Sequence, residues 1–115
     1  MSKYSLLING ELVPGASTMH VINPATEEVL ADCPRSSEEQ LNEAVQAARK
    51  AFETYSQTHV EQRIDLLTTI WEIYKRRLDD VADAFQSEMG APTYLAKGAQ
   101  AMVGLGHLKA AIRSL

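Results

Sequence analysis

Residues 58–92 read THVEQRIDLLTTIWEIYKRRLDDVADAFQSEMGAP. Val60, Ile64, Leu67, Trp71, Tyr74, Leu78, Val81 and Phe85 recur there in alternating steps of four and three, the heptad-like seam of a helix packed along one side. Leu66, Ile70 and Ile73 widen the stripe, and a stripe that wide faces a protein core rather than a single partner strand. Thr58 to Glu61 has the pattern of a capping box. Asp79-Asp80 can start a new helix by capping, so the region divides at about residue 78. Gly90 with Pro92 just beyond is a helix stop.

Upstream, Ser36-Ser37-Glu38-Glu39 has the same box pattern, with the serine bonding the amide three residues on and Glu39 reaching back. Leu41, Ala44, Val45, Ala48, Phe52 and Tyr55 then share one stripe, which predicts a helix over about residues 37–55. The first 34 residues read as extended. Leu6-Leu7-Ile8 and Glu11-Leu12-Val13 flank Asn9-Gly10, a strong hairpin signal because both turn positions need positive φ. Met19-His20-Val21-Ile22 and Glu28-Val29-Leu30-Ala31 flank a turn at Asn23-Pro24-Ala25-Thr26, and Pro34 closes the second pair. Short isolated hairpins are marginal in water, so these strands need a covering surface.

Downstream, Pro92 to Leu115 is apolar and predicted helical, with Pro92 suited to the first helical position. Gly98, Gly104 and Gly106 each cost about 1 kcal/mol there relative to alanine, so the helix is expected to pack closely, glycine admitting a neighbouring backbone. The predicted architecture is mainly α with N-terminal β-hairpins: two hairpins over residues 1–34 and three to four helices over 36–115.

The 115 residues carry a net charge of −4, with 45% hydrophobic and 23% charged side chains, which excludes long disorder. No run approaches the roughly 18 consecutive apolar residues of a membrane helix. Met1-Ser2-Lys3-Tyr4 lacks a signal-peptide layout. The single cysteine cannot form an internal disulfide, so a reducing, cytoplasmic setting is expected. Residues 92–115 hold Lys97, Lys109 and Arg113 and no acid, too sparse for a nucleic-acid footprint.

No catalytic constellation emerges from residue type and spacing. Cys33 sits between Asp32 and Pro34, and an adjacent carboxylate disfavours a thiolate. His20, His59 and His107 share no metal-ligand spacing. Gly104-Leu105-Gly106 lacks the third glycine of a dinucleotide fingerprint, because Lys109 stands there. The pairs Glu27/Glu28, Glu38/Glu39 and Asp79/Asp80 fall in turns and helix starts. Trp71 and Tyr74 belong to the apolar seam.

The blocks together resemble the N-terminus of the NAD(P)-dependent aldehyde dehydrogenase superfamily. They are Ile8 to Val13, Ile22-Asn23-Pro24-Ala25-Thr26-Glu27-Glu28-Val29-Leu30, Ala44 to Phe52, Arg63-x-x-x-Leu67-x-x-Ile70, Arg77-x-x-x-Val81-Ala82 and Glu88-Met89-Gly90-Ala91-Pro92. The family often has tryptophan where Leu12 and Tyr55 stand and glycine where Glu27 stands. The resemblance implies the N-terminal part of the α/β cofactor domain of that fold, in an enzyme oxidising an aldehyde to an acid. The family's glycine-rich cofactor motif, catalytic cysteine, general-base glutamate and oxyanion-hole asparagine follow the position of Leu115. The expectation is therefore a fragment (an expressed piece, a proteolytic product or a truncated reading frame) that is inactive alone.

By the same resemblance, Ala99, Gln100 and Val103 would face the substrate entrance tunnel. A monovalent cation would sit near the Ile22 carbonyl and the Glu88 carboxylate. NAD or NADP would belong to the full-length parent, and the partners would be the remainder of the enzyme in a homo-oligomer, with no nucleic acid and no membrane. The alternative is a standalone helical module that self-associates through the Val60–Phe85 seam and the glycine-bearing helix.

Overall fold

The computed structural model describes residues 4–115; the reading of Met1-Ser2-Lys3 lies outside them. The chain is mostly helical with two small hairpins, and it divides into two compact units. One holds the residues up to Ile22 with Glu27–Gln57; the other holds Asn23–Thr26 with Thr58–Leu115.

In the first unit, β1 (Leu6–Ile8) pairs antiparallel with β2 (Glu11–Val13). Asn9 at φ 52° and Gly10 at φ 81° form the expected two-residue turn. The second hairpin is longer than its sequence pattern indicates. β3 runs Ser17–Ile22 and β4 runs Val29–Arg35, with a register shift between Val21 and Ile22. Pro34 does not close β4 but pairs with Thr18 inside it. Every strand of a two-stranded ribbon has an open side, where a missing N–H costs no ladder bond.

α1 (Glu38–Tyr55) begins one residue later than its predicted box. Ser37, not Ser36, is the cap: its Oγ accepts from the Gln40 N–H at 3.2 Å, and Gln40 Oε1 accepts from the Ser37 N–H at 3.1 Å. Glutamine does what Glu39 was expected to do and also donates Nε2 to the Pro14 carbonyl at 2.9 Å, which a carboxylate cannot. The apolar stripe of α1 is uncovered: Leu41, Val45, Phe52 and Tyr55 are all exposed.

The second unit contains α2 (Val60–Arg76) and α3 (Leu78–Met89), divided at Arg77 as predicted. Here too the start shifts by one residue, with His59 as cap and Gln62 Oε1 accepting the His59 N–H at 3.1 Å in place of Thr58 and Glu61. Asp79 and Asp80 lie in the first turn of α3 rather than at its cap, where negative charge suits the helix dipole. The eight seam residues from Val60 to Phe85 are half-buried. The flanking Leu66, Ile70 and Ile73 are exposed, so only the seam itself is covered. Gly90 closes α3 at φ 68°, with its N–H on Gln86 O at 3.0 Å and the Ala91 N–H on Phe85 O at 3.4 Å.

Pro92 precedes the next helix as its cap, with ψ at 143°, rather than being its first residue. α4 (Thr93–Leu95), a π-turn (Ala96–Gln100) and α5 (Ala101–Ser114) then follow without a break. In a regular α-helix, residues five apart point about 140° away from each other. A π-turn bonds residues five apart and stacks them. The Ala101 N–H donates to Ala96 O, and both alanines are fully buried with Ala82 of α3. Leu78, Val81, Phe85 and Ala91 pack around them. The π-turn thus buries two alanines and leaves Lys97 outside, where its Nζ lies 2.9 Å from Asp79 Oδ1.

Candidate functional site

The second unit holds the residues expected to face a tunnel. Ala99 and Val103 lie on exposed backbone on either side of the join between the π-turn and α5. Val103 is 51% exposed. Gln100, the last residue of the π-turn, is half-buried, and its Oε1 is shielded from solvent without a hydrogen-bond partner among the described residues.

This helix is fixed from behind by α2. Tyr74 donates its hydroxyl to the Ala101 carbonyl at 3.0 Å, one residue after the π-turn. A Cβ at position 104 would collide with the Tyr74 hydroxyl and ring. The close approach expected at glycine therefore occurs at Gly104, but it admits a side chain rather than a backbone. Gly98 and Gly106 have nothing within 4 Å of an added Cβ, so close packing is not their role within the described residues. Gln86 Nε2 donates to Thr93 Oγ1 at 2.6 Å, tying α3 to the start of the helix. Neither the π-turn nor the tyrosine contact was anticipated. Ala96 and Ala101 stand five apart with Lys97 and Gln100 between them, so helical counting by threes and fours hides the first.

Gly104 and Gly106 lie inside α5 rather than in a strand-to-helix turn, and Tyr74 fills the space beside Gly104. These residues do not fit a dinucleotide phosphate. Ile22 ends β3 in the first unit, whereas Glu88 is exposed on α3 in the second. Among the described residues, no group of three or more histidines, cysteines or carboxylates could hold a metal. Cys33 is half-buried in β4 opposite Met19. His20 Nδ1 and Asp32 Oδ1 are 2.7 Å apart as direct cross-strand partners, a pair that follows once the register is known. No helix of the described residues is long and apolar enough to cross a membrane.

The aldehyde dehydrogenase family model matches residues 12–115. The chain belongs to this family. A 3-succinoylsemialdehyde-pyridine dehydrogenase of a Pseudomonas species is 43% identical over 103 residues, which are 87% of this chain and 22% of that protein. The crystal structure of an aldehyde dehydrogenase from Bartonella henselae superposes at TM-score 0.91 and 34% identity, over 96% of this chain and 24% of that one. Aldehyde dehydrogenase C of Pseudomonas syringae was solved as a cysteine-to-alanine mutant with NAD+ and octanal. It superposes at TM-score 0.92 and 32% identity, over 97% of this chain and 24% of that one. The chain thus spans about 22% of the length of the aldehyde dehydrogenase relative it matches at 43% identity. Its helices and two small hairpins are consistent with an aldehyde dehydrogenase N-terminal segment.

Proposed function

We propose that this chain is the N-terminal segment of an NAD(P)-dependent enzyme that oxidises an aldehyde to its carboxylic acid. Residues 1–34 supply hairpins and 36–115 supply outer helices of the cofactor domain. The supporting observation is the superposition of 96% of this chain on 24% of an aldehyde dehydrogenase. The dinucleotide and the reacting groups belong to the rest of the polypeptide, and no step of the reaction is assigned to residues of this segment. The parent is a cytoplasmic homo-oligomer in this reading. The purified 115-residue chain, given an aldehyde and NAD+ or NADP+, produces no reduced nicotinamide. A polypeptide extended to the relatives' length produces it. Reduction by the short chain alone overturns the reading.

Ala99, Gln100 and Val103 border the substrate entrance in the extended enzyme. The exposure of Ala99 and Val103, and the absence of charge at all three, supports a path for an apolar aldehyde. An unfolding midpoint of the extended enzyme insensitive to potassium sinks the monovalent cation that the resemblance implies. The match over residues 12–115 leaves the standalone helical module without a specific observation in its favour.

A further inference from the structure

We propose that Tyr74 is a positioning residue for substrate selection, setting the path of the helix that carries Ala99 and Val103. The proposal rests on the reading of those two residues as tunnel-bordering. Three observations converge on it. First, the π-turn Ala96–Gln100 lies between two segments of ordinary α-helix, and its extra residue decides which side chains face in and which face out. Second, both alanines that frame the turn are fully buried in one cluster with Ala82. Third, the Tyr74 hydroxyl donates a hydrogen bond to Ala101 O at 3.0 Å.

The tyrosine also fits a gap that the sequence leaves for it. At Gly104, three residues beyond Ala101, any Cβ meets the Tyr74 hydroxyl and ring. One aromatic side chain therefore touches the helix twice, once by a hydrogen bond at the end of the π-turn and once by contact a turn later. Ala99 and Val103, on the same continuous helix, are exposed. Tyr74 touches no substrate in this arrangement. It acts through the backbone, by holding the helix at one depth and one rotation against α2.

The test uses the extended, active polypeptide and two aldehydes, acetaldehyde and octanal. Val103→Trp is the control for the tunnel itself, and it should raise the KM for octanal relative to acetaldehyde. Tyr74→Phe removes the hydroxyl and keeps the ring. It should change the octanal-to-acetaldehyde KM ratio by about three- to tenfold, the range of one lost hydrogen bond, with kcat for acetaldehyde held within about twofold. Gly104→Ala pushes on the same ring from the other helix and should shift the ratio as well. A general loss of folding would instead lower kcat for both aldehydes together. If Val103→Trp shifts the ratio and neither Tyr74→Phe nor Gly104→Ala does, the positioning role is wrong and the tunnel stands. If Val103→Trp leaves the ratio unchanged, the tunnel reading fails and the role of Tyr74 fails with it. If Tyr74→Phe does not fold, Gly104→Ala decides alone.

Discussion

Glu27 occupies a conformation that suits glycine. Its φ is 60°, at the end of the turn that begins with the Asn23 Oδ1 bond to the Ala25 N–H at 2.9 Å. A residue with a Cβ pays roughly 1–2 kcal/mol in the left-handed region. Glu27→Gly should therefore raise stability, by roughly 0.5–1 kcal/mol after the larger unfolded-state entropy of glycine is counted. Gly90 is the opposite case. Its φ is 68°, and a Cβ there would lie 2.8 Å from Pro24 Cγ. Gly90→Ala combines backbone strain with a collision and should cost about 2 kcal/mol or more. Urea unfolding of a polypeptide of the relatives' length measures both, and like signs for the two variants would refute the account.

At the scale of an element, the start of α1 tests which serine matters. Ser37→Ala removes the hydroxyl that accepts the Gln40 N–H and should cost about 1 kcal/mol, whereas Ser36→Ala should be neutral. Glu39 adds a pH dependence. Its own backbone N–H, then the Ser37 hydroxyl, hold its carboxyl below the usual carboxylate range. A lowered folded-state value contributes stability above the ordinary range, and that contribution is lost as pH falls through the folded value. The protection of first-turn amides of α1, measured relative to their intrinsic exchange at each pH, should fall on acidification below about pH 4, and Glu39→Gln should flatten that response. The type and order of the elements were legible because the seam from Val60 to Phe85 and the Asn9-Gly10 turn are local patterns. The cap positions were not, since Ser36 and Ser37 are chemically equal. What separates them is Pro14, 26 residues from Gln40, whose carbonyl selects the glutamine. The π-turn was hidden for a similar reason. Ala96 and Ala101 are ordinary helix formers, and only the α3 core that receives them makes five the right spacing. The candidate tunnel positions came from family resemblance alone, and the tyrosine behind them came only from the fold.

For the whole molecule, the balance of covered and uncovered apolar surface decides behaviour. The fully buried residues are Ala82, Ala96 and Ala101, and no large side chain among the described residues is fully buried. Leu7, Leu12, Phe52 and Tyr94 are 70%, 74%, 66% and 79% exposed. Alanine methyls contribute little transfer free energy, whereas full burial of a Leu or Phe side chain contributes about 1.5–3 kcal/mol, and ordering each backbone residue costs about 1–2 kcal/mol. Its own core therefore supplies little of the apolar burial that cohesion needs. Expressed alone, the 115 residues should keep helical circular dichroism, bind a hydrophobic dye, melt without a sharp transition and sediment as concentration-dependent species. The extended polypeptide should lose the dye binding and melt cooperatively. A short chain that stays monomeric, ignores the dye and unfolds in one sharp step would show that three alanines and a half-buried seam suffice. The exposed face of α1 would then need a different explanation from coverage by the rest of the enzyme.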